Sequence, residues 1–121
     1  MKVVIVEDQF IEAFDLQLIL EHNGYTVAGI AHTAAEGFEL IKESMPDLVC
    51  LDIMLKGDET GIDLAEKLML LNIGFVYISA NLYNAVLNKA LATKPYGFIN
   101  KPFQEQDVLP VIENAFAQLT Q

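Results

Sequence analysis

The chain has 121 residues, a net charge of −10 at neutral pH and 53% hydrophobic residues. A domain takes about 100–200 residues, so a single domain over 1–121 is expected and disorder is excluded as its main state. Seven lysines and no arginine face 17 acidic residues, which leaves no cationic patch for direct nucleic-acid binding. No apolar run reaches the roughly 18 residues that span a bilayer. The lone Cys50 excludes an internal disulfide or a cysteine zinc site. The opening Met1-Lys2-Val3-Val4-Ile5-Val6-Glu7-Asp8 turns acidic too early for a signal peptide, so a cytoplasmic protein is expected.

Residues 2–6 are an unbroken β-branched run, as in a parallel strand buried on both faces. Residues 10–22 change to a helical period. Ile11, Phe14 and Leu18 share one face there, with Glu12, Asp15 and Glu21 left for water. Asn23-Gly24 supplies the stop. A second strand is expected over 25–30. Thr33 then caps a helix that presents Ala34, Phe38 and Ile41 and ends near Ser44, before Pro46, with Glu36 at capping-box spacing.

A third strand over 47–51 leads to Asp52, and a loop with Gly57 and Gly61 follows. A helix over 62–71 aligns Leu64, Leu68 and Leu71. The fourth strand, 75–78, ends at Ser79-Ala80, and a weaker helix covers 84–92. The fifth strand, 96–99, ends at Asn100-Lys101-Pro102. The last helix, 104–119, turns Val108, Ile112, Ala115, Phe116 and Leu119 inward; Pro110 lies early in it and 118–121 form a frayed end. Five strand-helix units with short connections predict an α/β fold. The expected architecture is a flavodoxin-like, doubly wound, five-stranded parallel sheet of order 2-1-3-4-5 with five helices.

In such a sheet the site lies beyond the carboxyl ends of the strands, where the strand order reverses. Those ends carry Glu7-Asp8, Asp52, Ser79-Ala80 and Lys101-Pro102. Three carboxylates crowded together repel one another, and a hard divalent cation such as Mg²⁺ relieves the conflict. A lysine and a hydroxyl suit phosphoryl oxygens. The set describes a site that moves a phosphoryl group, with Asp52 as the carboxylate that accepts it.

These segments resemble the receiver domain of bacterial two-component response regulators. The resemblance rests on Val3-Val4-Ile5-Val6-Glu7-Asp8, on Pro46 to Leu55 around Asp52, on Ser79-Ala80 and on Gly97-Phe98-Ile99-Asn100-Lys101-Pro102-Phe103. It covers essentially the whole chain. It implies that Asp52 takes a phosphoryl group from a phosphohistidine on a sensor histidine kinase or phosphotransfer protein. It implies Mg²⁺ held by Asp8, Asp52 and the backbone carbonyl of Met54, with Glu7 acting through a water. Lys101 would pair with Asp52 and then with the phosphoryl group, in a Lys101-Pro102 turn that is often cis. Ser79 and Ala80 would meet the phosphoryl oxygens. Phe98 would be the switch aromatic, filling space vacated by Ser79 and relaying the state to the face made by the fourth helix, fifth strand and fifth helix.

The kinase would dock near residues 11–18, and an effector domain or downstream protein would read the switch. Homodimerisation through the last helix is a family habit. Such a domain is no enzyme beyond weak self-catalysed phosphotransfer and dephosphorylation. Met54 and Asn81 stand where the family tunes phosphoryl lifetime; apolar Met54 cannot orient the hydrolytic water, which implies a moderately long-lived phosphoryl group. A haloacid-dehalogenase-like phosphatase is the alternative, but it needs a second aspartate where Met54 stands. A binding-only pseudo-receiver would lack the need for both Asp52 and Lys101.

Overall fold

Strands and helices alternate throughout residues 1–80 and 84–120, the residues that the computed structural model describes. In chain order these are β1 (Lys2–Val6), α1 (Phe10–His22), β2 (Thr26–Ala31), α2 (Ala34–Ser44), β3 (Leu48–Asp52), α3 (Gly61–Leu70), β4 (Gly74–Ser79), α4 (Asn84–Ala92), β5 (Phe98–Asn100) and α5 (Glu105–Leu119). All strand pairs are parallel and the sheet order is β2-β1-β3-β4-β5. β1 has the bounds expected, and the boundaries of the other strands move by one or two residues. Asn81 and Gln121 lie outside the described residues.

The sheet is buried because its side chains alternate between two apolar layers. Val4, Val6, Val49, Leu51, Phe75 and Tyr77 face α2, α3 and α4, where Ile41, Leu64, Leu68 and Ala90 meet them. Val3, Ile5, Leu48, Cys50, Val76 and Ile78 face α1 and α5, where Leu16, Leu20, Val108 and Ile112 meet them. β3 and β4 are buried along their whole length, which fixes the strand ends that carry the polar residues.

Local signals set the helix ends. Thr33 Oγ1 accepts from Glu36 N, as its spacing predicts, while the Glu36 carboxylate reaches His32 N instead of closing a capping box. Thr60 and Asp63 do close a capping box at the start of α3. Gly24 has φ +89°, the left-handed conformation expected after α1.

Two expected faces are wrong. Ile11, Phe14 and Leu18 point to solvent, and α1 buries Ala13, Leu16 and Leu20 instead. The helix is apolar almost all round, so a second set of residues satisfies the same period. Small Ala13 with two leucines packs closely on the sheet. Leu71, expected in line with Leu64 and Leu68, instead caps α3 and stands exposed.

Candidate functional site

The sheet order reverses between β1 and β3, and the register there puts Val6 beside Leu51. One residue further along each strand, Glu7 and Asp52 therefore stand next to each other. Ser79 closes β4 opposite Asn100 of β5, and the Lys101 backbone N–H donates to Ser79 O at 2.7 Å. That bond ties the lysine to the end of β4. The Lys101-Pro102 peptide is cis.

The Lys101 ammonium is the centre of the arrangement. It lies 2.5 Å from Glu7 Oε1, 2.7 Å from Glu12 Oε2 and 2.8 Å from Asp52 Oδ2. Asp52 Oδ1 accepts from Met54 N at 3.0 Å, and Glu7 Oε2 accepts from Gln9 N at 3.1 Å. Both acceptors are backbone-anchored on one oxygen and lysine-bound on the other. These contacts fix their orientation.

Burial makes the cluster electrostatically tense. The Glu7 side chain is 1% exposed and that of Asp52 is 7% exposed. Burial is the main cause that pushes the Glu7 carboxyl up to about 8; Lys101 pulls it back down and the Asp52 carboxyl adds to the rise. For Lys101, burial opposes the charge. Hydrogen bonds to Asp52, Glu12 and Glu7 outweigh it and hold the ammonium above the ordinary lysine range.

Glu7, Asp8 and Asp52 each offer a carboxylate oxygen, and these atoms lie within 4.8 Å of one another. Asp8 is half-buried at the rim. Such a donor set could hold a metal ion, and hard oxygens close together suit a small divalent cation. Burial first, and the adjacent Asp52 carboxyl after it, disfavour charge on Glu7, and that is the conflict a cation would relieve.

The remaining expected residues lie around this rim. Ser79 is buried at the end of β4, and Ala80 follows it at the surface. Phe98 is half-buried on β5, its ring centroid 5.6 Å from that of Tyr77. Tyr77 itself is fully buried and hydrogen-bonded to Thr93 at the end of α4. The Met54 side chain is exposed, between buried Ile53 and Leu55, which anchor the loop after β3.

Three contributors were not expected from the sequence. Glu12 reaches Lys101 instead of facing water. It precedes Leu16 by one turn, so it borders the buried face of α1 once that face is placed correctly. His32 Nδ1 lies 2.9 Å from Glu7 O, and because a carbonyl only accepts, the ring carries its proton on Nδ1. Gly61, expected only to ease a turn, presses α3 against the backbone of Asp52, where a Cβ would stand 1.9 Å from Asp52 O. No spacing rule in the sequence marks a close approach of that kind.

The profile of the response regulator receiver domain matches residues 3–113. The chain is 36% identical over its full length to the sensory transduction protein LytT of Enterococcus faecalis, of which it covers 50%. It is 33% identical to the chemotaxis protein CheY of Thermotoga maritima, covering 92% of this chain and 93% of that protein. The chain thus spans about half the length of several curated relatives and nearly all of another. Among solved structures, the signal receiver domain of a modulated diguanylate cyclase from Desulfovibrio desulfuricans superposes with a TM-score of 0.92 at 28% identity, over 98% of this chain and 95% of that one. The N-terminal domain of a response regulator/sensory box/GGDEF protein from Carboxydothermus hydrogenoformans gives 0.89 at 30% identity, over 99% and 97%. Fold, rim and relatives agree: the chain belongs to the response regulator receiver domains, the phosphorylation-controlled switches of two-component signalling.

Proposed function

We propose that this chain, acting as one receiver unit over 1–121, is switched by phosphorylation of Asp52. The observation that carries the reading is the Lys101 ammonium bound to Asp52 Oδ2 beside a trio of carboxylates at the switch point of the sheet. A carboxylate oxygen of Asp52 bonds to phosphorus while the bond from phosphorus to the donor's imidazole nitrogen breaks, and the freed ring takes up a proton. Mg²⁺, when bound, supplies the positive charge that lets the carboxylates and phosphoryl oxygens share one rim. Asp8, Asp52 and the Met54 carbonyl would hold it, with Glu7 acting through a water. Lys101 moves its charge from the carboxylate to a phosphoryl oxygen, and Ser79 and the Ala80 segment meet the others.

The donor is a sensor histidine kinase or phosphotransfer protein. The exposed apolar stripe Phe10, Ile11, Phe14 and Leu18 on α1 supports a protein surface docking there. The reader is an effector domain or downstream protein in the cytoplasm, and self-association through α5 is a further way to read the state. Among the described residues no helix is long and apolar enough to cross a membrane. The acidic charge speaks against direct contact with nucleic acid through this domain.

Incubation with acetyl phosphate and magnesium, followed by intact mass measurement, is expected to add one phosphate to the wild type and none to Asp52→Asn. Turnover of a small phosphate ester without labelling would favour a phosphatase instead. Phe98 is expected to turn further inward when Ser79 moves to the phosphoryl group, reshaping the α4-β5-α5 face. Crystals grown with and without beryllofluoride test this, and an unchanged Phe98 rotamer would refute it.

A further inference from the structure

The loop that carries Glu7 and Asp8 starts where β2 stops supplying ladder bonds to β1. Glu7 N still donates to Ala31 O at 2.9 Å, but β2 ends at Ala31. The next donor on that side is a side chain: His32 Nδ1 donates to Glu7 O at 2.9 Å. Glu7 O belongs to the planar peptide that joins Glu7 to Asp8, so this bond sets the plane from which the Asp8 residue departs. The Glu7 carboxylate has an anchor of its own in Gln9 N, at 3.1 Å. Asp8, half-buried at the rim, takes its direction from that peptide. The imidazole is itself held in place. Its centroid lies 4.1 Å from that of Phe10, with the planes at 47°. Phe10 opens α1, so the half-buried His32 ring touches the loop at both ends, before Asp8 and after Gln9.

We propose that His32 is a positioning residue for the metal: its Nδ1–H holds the Glu7–Asp8 peptide in the orientation that brings a carboxylate oxygen of Asp8 within 4.8 Å of those of Glu7 and Asp52. The proposal rests on the reading that Asp8 helps to hold Mg²⁺. A donor fixed by packing orders the loop before the cation arrives. Without that donor the peptide plane is free to turn, and the ordering of Asp8 is charged against binding. Partners one step behind a metal's ligands act in this way, by orienting what they do not replace.

Titration with magnesium followed by amide NMR, with no phosphoryl donor present, tests this; the same spectra report folding. His32→Phe keeps an aromatic ring against Phe10 and removes the donor. It is expected to weaken magnesium binding about tenfold, the lower end of what such partners cost when removed. His32→Ala lacks both ring and donor and is expected to lose at least as much, which decides the matter if the phenylalanine variant does not fold. His32→Asn discards the ring but carries Nδ2 two bonds from Cβ, as Nδ1 is in histidine. Its affinity is expected to stay closer to the wild type than to His32→Ala. Wild-type affinity in the folded donor-less variants overturns the proposal, as does a loss in His32→Asn as large as theirs. A wild type that takes up no magnesium, or an Asp8→Asn variant that takes it up equally well, overturns the ligand reading itself, and this proposal with it.

Discussion

Gly61→Ala is expected to destabilise the fold by about 3 kcal/mol and to abolish labelling of the protein that remains folded. An added Cβ would lie 1.9 Å from Asp52 O, 2.8 Å from Asp52 C and 2.9 Å from Ile53 Cα. All three are backbone atoms of the strand end that carries Asp52, the proposed phosphoacceptor, so no side chain can swing aside. The amide of Gly61 also donates to Ile53 O at 3.0 Å, which holds α3 in this close approach. Either α3 retreats and exposes Leu64 and Leu68, or the end of β3 shifts and misplaces Asp52 relative to Lys101. Urea denaturation measures the first effect and acetyl phosphate labelling the second. Gly57→Ala is the informative contrast, because Gly57 has open space around it and pays only for its φ of +110°. Equal losses at both positions would show that loop conformation, not the approach to Asp52, is what matters.

The architecture could be read from the chain because two periods are written into it without conflict. The β-branched runs at Val3–Val6 and around Val49 alternate between helical segments that end at Gly24 and before Pro46, and five such units leave few topologies open. The rim could be read because strand ends in a parallel sheet converge by topology alone, so Glu7, Asp8, Asp52, Ser79 and Lys101 needed no contact information. What was missed depended on rotation and distance. Helix α1 has apolar residues on all sides, and period alone could not decide between the set Ile11, Phe14, Leu18 and the set Ala13, Leu16, Leu20. That one misplaced rotation also sent Glu12 to solvent in the sequence reading, although it belongs to the lysine. Gly61 escaped for a different reason: its role is a contact between backbones, and only the assembled α3 and β3 reveal it.

Lys101→Met is expected to cost about 3 kcal/mol at pH 9 in the absence of divalent cations, and less at pH 6. The loss arises from the carboxylates left behind. Glu7 and Asp52 are buried, and the ammonium is the only cation that either contacts among the described residues. The pH dependence follows from Glu7, whose carboxyl is raised from 4.5 to about 8, by burial first and by Asp52, with Lys101 acting in the opposite direction. A raised carboxyl contributes stability that is complete below pH 4.5 and is lost as pH rises through 8. Removing Lys101 removes the lowering influence, so in the variant Glu7 keeps its proton to still higher pH. At pH 6 Glu7 is protonated in both proteins, and the variant lacks only a partner for Asp52 and Glu12. Above pH 8 the wild type can ionise Glu7 beside a cation, whereas the variant must hold the proton or leave two buried carboxylates facing each other. The gap in unfolding free energy is therefore expected to widen between pH 6 and pH 9 in urea denaturation with chelator present. Millimolar magnesium is expected to narrow it, since a divalent ion at the same rim supplies the missing charge and no longer meets an ammonium there. A gap that is equal at both pH values and indifferent to magnesium would mean that Lys101 acts through the packing of its stem, and that its charge contributes nothing to the resting site.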